Sequence, residues 1–302
     1  FGVYSLPTYS GNLVASRVVI AGNYLGTDNL FQLVDTIGVS GYAGAYLGVE
    51  GFESVVGGFP LSAQGKAGVF YNRLYTHIKP LQSMKAALKY PMTNILVPLA
   101  AIRVGDKLKK VVGTNDQDLN PDEQKELLEK VIPIFNEKML VGESFIITDT
   151  LGANLSGEVG TGFAKILTAQ IGVSGSQLIV SRLHIFKQSD TAYQIYRDIG
   201  NTRQCSAQTN INLLIPIIKV KYALDQGKSK MDFYKLKFDG TKIDAAEKEK
   251  YSALKDAFLS GSIGKLKTLQ APVKFRYQLK QQEIQGSLFV AQGTRINSRF
   301  KM

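Results

Sequence analysis

The chain carries two histidines, His77 and His184, and one cysteine, Cys205. Zinc chemistry needs three or four ligands of these types brought to one point. Residues so far apart do not supply that set, and no carboxylate is spaced to complete it. Each histidine lies among hydrophobic residues, which predicts packed side chains rather than metal ligands. Cys205 alone excludes an internal disulfide and reads as a small buried hydrophobe. A nucleophilic serine or cysteine needs a histidine oriented by an acid. GxSxG is absent, and VSGSQ around Ser174 and Ser176 shares only glycine and serine with it. Asp190 with Asp198, or Glu143 with Asp149, are the carboxylate pairs available for glycoside hydrolysis, but no spacing singles them out. Gly160-Thr161-Gly162 comes nearest to a phosphate loop. It sits in an alternating β pattern with no helix after it, so the anion-binding helix terminus is missing. No cofactor or metal is expected, and a non-enzymatic protein is the leading expectation.

The cations are better patterned. Lys219 and Lys221 alternate with Ile218, Val220, Tyr222 and Leu224. Lys235 and Lys237 alternate with Tyr234, Leu236 and Phe238. Lys274 and Arg276 alternate with Val273, Phe275 and Tyr277. Period-two alternation puts the cations on one side of each strand and the bulk on the other. If the three strands share a sheet, it has an apolar aromatic face and a basic face. Thirty-six Lys and Arg against 25 Asp and Glu give a net charge of +11. Such a surface attracts anionic lipid headgroups or acidic glycans. Nucleic acid is not expected as a partner.

These residues have to be held by strands. Glycines crowd the region from Ile37 to Gly68, at a density that disfavours both helices and flat packed strands. A strongly curved sheet tolerates it, because glycine relieves crowding there. IGVSG occurs at Ile37–Gly41 and again at Ile171–Gly175, which raises the expectation of two repeated β units. Strands are expected at 10–24, 66–79 and 93–104. In the second half FIITDT, EVGTGFAKILTAQIGVSG and SQLIVSRLHIFK read as strands separated by glycine-bearing turns. Residues 210–224 read as one long strand with Pro216 at an edge or bulge, followed by a hairpin turn at DQGKSK. Helices are expected at 80–89, at 121–140 after Asn120, and at 244–259 behind the capping-box pair Asp244 and Glu247. In the last of these, Tyr251, Leu254 and Phe258 share a face.

The expected fold is therefore β-dominated α+β. Long curved antiparallel strands form a concave or barrel-like sheet with two or three accessory helices. A unit boundary is placed near residue 120, dividing a glycine-rich β unit (1–120) from an antiparallel β unit (121–302) in what can still be one continuous domain. The chain begins with Phe1, read as a mature N-terminus left after removal of a signal peptide. The function expected first is a non-enzymatic cell-envelope protein, periplasmic or outer-membrane, that binds an amphipathic or anionic lipid or glycan. Its ligand-binding residues would be Lys219, Lys221, Lys235, Lys237, Lys274 and Arg276. An extracellular location is the second choice. The alternatives are an outer-membrane β-barrel or pore protein, whose alternating strands would line a lumen, and a hydrolase acting on an envelope glycan.

Overall fold

The structure is a computed structural model that describes residues 2–22, 31–53, 60–90, 139–163, 167–213, 215–239, 241, 244–288 and 291–301. Nine strands form one antiparallel sheet in chain order. They are β1 (Gly2–Ala21), β2 (Phe31–Glu53), β3 (Pro60–Leu81), β4 (Ser144–Phe163), β5 (Leu167–Ser189), β6 (Ala192–Leu213), β7 (Ile215–Lys237), β8 (Val273–Leu288) and β9 (Ala291–Lys301). The helices are α1 (Met84–Lys89), α2 (Ala245–Ser260) and α3 (Gly264–Leu269). This is the β-dominated α+β architecture with a concave sheet that alternation and glycine content predict. Among the described residues β1 pairs only with β2 and β9 only with β8, so the sheet is open. The helix expected at 121–140 and the strand at 93–104 lie outside the described residues.

Strands of up to 23 residues extend roughly 75 Å at about 3.4 Å per residue. Their connections differ at the two ends. At the lower end β4 ends at Phe163 and β5 begins at Leu167, while β6 ends at Leu213 and β7 begins at Ile215. At the upper end β3 ends at Leu81, with α1 just after it, and β4 begins at Ser144, while α2 and α3 lie between β7 and β8.

Several expected turns are interior strand positions. DQGKSK continues β7 without a break, with Asp225 to Lys230 paired to Gln204 to Ile199. The pattern read as one strand over 210–224 is instead the end of β6 and the start of β7. Pro216 marks the register shift between them, opposite Asn212, in keeping with its missing N–H. Strands from both expected units join one sheet, since β3 pairs with β4 from Leu61↔Thr161 to Ile78↔Ser144. The IGVSG copies fall in β2 and β5, which run in opposite directions because an odd number of steps separates them in the antiparallel order.

Residues paired across an antiparallel ladder project to the same side, and sides alternate along each strand. The sheet therefore has two faces, here called front and back. At the upper end the front face is packed. Phe145, Ile147, Leu183, Ile185, Tyr193 and Ile195 meet Tyr251, Leu254, Ala257 and Phe258 of α2 in one buried cluster. Phe258 stacks 5.5 Å from Phe145, and Tyr251 lies 4.2 Å from Phe238. Burying a side chain of this kind contributes roughly 1.5–3 kcal/mol. Asp244 caps the helix, accepting from the Glu247 amide at 2.9 Å, and the Glu247 carboxylate accepts from the Asp239 amide before the helix. Gly261 ends the helix in the left-handed region at φ 71°.

The back face is the crowded one. A Cβ at back-face Gly152 would fall 2.1 Å from the Phe70 ring, and one at Gly68 would fall 2.3 Å from the Tyr42 hydroxyl. Front-face Gly157 and Gly175 have no atom nearer than 3.8 Å to that position. Aromatic rings thus lie over glycines on the inner side of the curve, an arrangement that favours bending toward the back. Gly152→Ala should lower stability by about 1–3 kcal/mol through overpacking against Phe70. Gly157→Ala should stay within about 0.5 kcal/mol. Urea midpoints of the two variants check this, and equal shifts would contradict the assignment of curvature.

Candidate functional site

The six sequence-expected cations do not converge. Lys219, Lys221, Lys235 and Lys237 hold back-face register positions on β7, but at opposite ends of the strand. Lys274 pairs with Asp232 and Arg276 with Lys230, which places both on the front face. The single basic face is thereby corrected. The hairpin read at 225–230 does not exist, and the true register of β7 against β8 sets the two pairs of alternating cations out of phase.

What the register does bring together is a segregation of apolar from polar residues below the helices. On β4 the front-face residues Leu151, Ala153 and Leu155 are exposed, and Leu155 is 65% exposed. Val173 on β5, Val69 on β3 and Tyr222 on β7 are also exposed on that face. Cys205 joins them, exposed on β6 rather than buried, because among the described residues no layer covers the front face there. The register continues the pattern downward. Val3, Val49, Ala63, Val159, Ile171 and Val220 share one cross-strand row, completed by Thr209, Gly286 and Gly293. The next row consists of Ser62, Gly160, Gln170, Asn210, Lys219, Ser287 and Gln292, and Gly2 pairs with Glu50 at the register shift between β2 and β3. The pattern reverses at β9, where Ile296 takes a back-face position and Arg295 a front-face one.

The back face at the same height is a hydrogen-bonded polar surface. Tyr46 donates to Gln64 at 2.7 Å, Gln64 reaches Glu158 at 3.4 Å, and the Ser174 and Ser206 hydroxyls lie 2.6 Å apart. Gln64, Glu158, Ser174 and Ser206, with Lys66, Ser156 and Gln208, line a shallow cleft of about 240 Å³ floored by Gly65, Gly157 and Gly172. The cleft pairs one cation with one carboxylate among hydroxyls and amides, so it offers water a wet, near-neutral surface.

One front-face row marks the upper limit of the bare region. It runs Tyr9, Ala43, Val69, Ala153, Gln177, Arg203, Gln226, Lys280, Arg299. Tyr9 is 87% exposed. Just above, Tyr71 donates to Asp149 at 2.7 Å. Arg73 grips the same carboxylate in a two-pronged contact and donates to the Ser260 carbonyl of α2.

A second polar cluster lies higher, inside the head. Glu143 accepts from His77 Nε2 at 2.9 Å and from the Leu140 amide at 3.0 Å, and it lies 3.2 Å from Lys79 Nζ. Lys187 Nζ donates to the Met139 carbonyl at 2.8 Å. All four charged or titratable side chains are buried. His77 Nδ1 has no partner among the described residues. Burial alone would raise the Glu143 carboxyl; the bonds and charges of His77 and Lys79, with the Leu140 amide, outweigh it and hold it below the usual carboxylate range. Glu143 and Asp149 serve different cations and stand six positions apart along one extended segment, about 20 Å, beyond either glycosidase geometry. Gly160-Thr161-Gly162 lies inside β4. Among the described residues no group of three metal-ligating side chains is present. Comparison of the chain with protein-family models, curated protein sequences and solved structures gives no match.

Proposed function

We propose that the lower sheet enters a lipid bilayer, with its front face against acyl chains and its back face against water, and so forms part of the wall of a barrel or pore in the cell envelope. The observation that carries this reading is the segregation of apolar and polar rows on a sheet one layer thick. A sheet with an apolar face normally buries it against another layer. Among the described residues α1, α2 and α3 do so only at the upper end, and the same face runs on bare below them. Seven strands about 4.8 Å apart make that bare surface roughly 30 Å wide, well beyond the few hundred Å² of apolar patch usual on a monomer.

The dimensions support a bilayer as the missing layer. A membrane β-strand needs about 9–11 residues, and the apolar alternation on β5 from Leu167 to Gln177 has that length. Paired strands keep backbone N–H and C=O groups satisfied in hydrocarbon, which an irregular segment cannot do. Tyrosines at the upper margin match the aromatic girdle of membrane barrels. No helix among the described residues is long and apolar enough to cross a membrane, which leaves crossing by strands open.

The test is flotation of the purified protein with phospholipid vesicles, followed by an alkaline wash and by release of an encapsulated dye. Wash-resistant flotation with dye release is expected. Recovery of the protein in the aqueous fraction, with the dye retained, would overturn the reading.

A further inference from the structure

The bare apolar surface is bounded above by cations on one side of the sheet only. Arg203, Lys228, Lys230, Arg276, Lys280 and Arg299 are all exposed front-face residues of β6 to β9. Lys274 adds a seventh, and Asp232 opposite it is the one acid among the described residues at these front-face positions. At the same height on β1 and β3 stand Tyr9 and Tyr71. Beneath the cations, on the same face, come Cys205 and Leu224, then Ala207 and Tyr222. Charge and hydrocarbon therefore meet along one line, at the margin where the helical head begins.

We propose that this front-face belt is a binding surface for anionic phospholipid headgroups, seated at the bilayer interface when the sheet is inserted. It rests on the insertion reading and adds a lipid preference to it. Four features select a lipid over a soluble polyanion. The belt is continuous with the apolar surface, so a phosphate bound here has its acyl chains beside Leu224 and Tyr222 rather than in water. Its lowest row, Arg203, Lys280 and Arg299, crosses the strands at one height as a plane of headgroups would, with Lys228, Lys230, Arg276 and Lys274 in the three rows above it, about 20 Å of strand in all. It carries one acid, Asp232, against seven cations. Its arginines and lysines stand on paired strands, which hold them at fixed spacing. Juxtamembrane cations of this kind contribute about fivefold in membrane affinity each toward anionic leaflets.

The experiment compares wild type with the triple variant Lys230→Gln, Arg276→Gln, Lys280→Gln. A control removes back-face charge instead, Lys235→Gln with Lys237→Gln. Binding is measured to vesicles of phosphatidylcholine alone and with phosphatidylglycerol added, at low and at raised salt. All the substituted side chains are exposed, and a melting curve for each variant verifies the fold. The belt variant is expected to lose about 100-fold in affinity for the anionic vesicles, to change little on the neutral ones, and to lose most of its salt dependence. The back-face control should resemble wild type. Equal losses for belt and control variants would overturn the belt and leave a net-charge effect. A wild type with no preference for anionic vesicles would also overturn it while leaving insertion intact. Binding to neither vesicle would overturn both readings.

Discussion

Val173→Arg is expected to cut vesicle dye release about 30-fold or more, whereas Ser156→Arg leaves it close to wild type. The two residues sit one step apart in height on neighbouring strands, but on opposite faces. Val173 is 56% exposed at a front-face position and Ser156 holds a back-face position, though both border the polar cleft. Neither substitution fills or empties a packed core, so both should fold with stability changed by about 0.5 kcal/mol or less. Arginine at the middle of the lipid-facing side of a membrane sheet costs about 2–4 kcal/mol, while the same residue facing a lumen changes only what the lumen attracts. Dye release per bound protein, read beside the melting curves, separates insertion from folding. Equal behaviour of the two variants, whether both active or both silent, would contradict a two-sided sheet.

The alternation behind this prediction is legible in the sequence. Arg203 to Leu213 reads as cation, then polar and apolar residues in strict turn, and so do stretches of β4 and β5. Register was harder to read. The sequence DQGKSK looks like a turn because its residues favour turns, yet at 225–230 its neighbours on both sides pair it into a strand. Glycines at 152, 157, 172 and 175 mislead in the same way: they mark curvature inside strands, not breaks between them. Alternation alone does not say which phase of β8 matches β7, and the register sets Lys274 and Arg276 opposite Asp232 and Lys230, on the other face. The helix at 245–260 was legible because its cap and its stripe are local signals. The pairing of His77 with Glu143 was not, since 66 residues separate them and only the sheet order brings them together.

Glu143→Leu should destabilise the protein by about 3–5 kcal/mol, the usual effect of removing one partner from a buried ion pair. Lys79 and His77 would then be buried without their shared acceptor, and the Leu140 amide would lose its bond. Replacing His77 by Leu at the same time should recover part of the loss, because it removes one of the stranded polar groups. The pH dependence follows from the lowered Glu143 carboxyl. Its contribution is present in full above the ordinary carboxylate range and is lost as pH falls through the folded value, since protonation ends the attraction to Lys79. Denaturant titrations from neutral to acid pH should show wild-type stability falling in that window. Glu143→Gln should start lower and fall less steeply. A Glu143→Leu variant as stable as wild type would show that the cluster contributes nothing net.

The unequal strand connections give the molecule a leading end and a trailing end. Between Phe163 and Leu167, between Leu213 and Ile215, and between Leu288 and Ala291 the chain turns within a few residues, so little peptide must be stripped of water to carry those hairpin tips through hydrocarbon. The opposite end carries α2, α3 and the buried Glu143 cluster, whose transfer would desolvate whole helices and several charges. If the sheet inserts as proposed, passage is vectorial: the hairpin tips cross, the helices act as a stop, and every copy comes to rest with its helical end on the side from which it arrived.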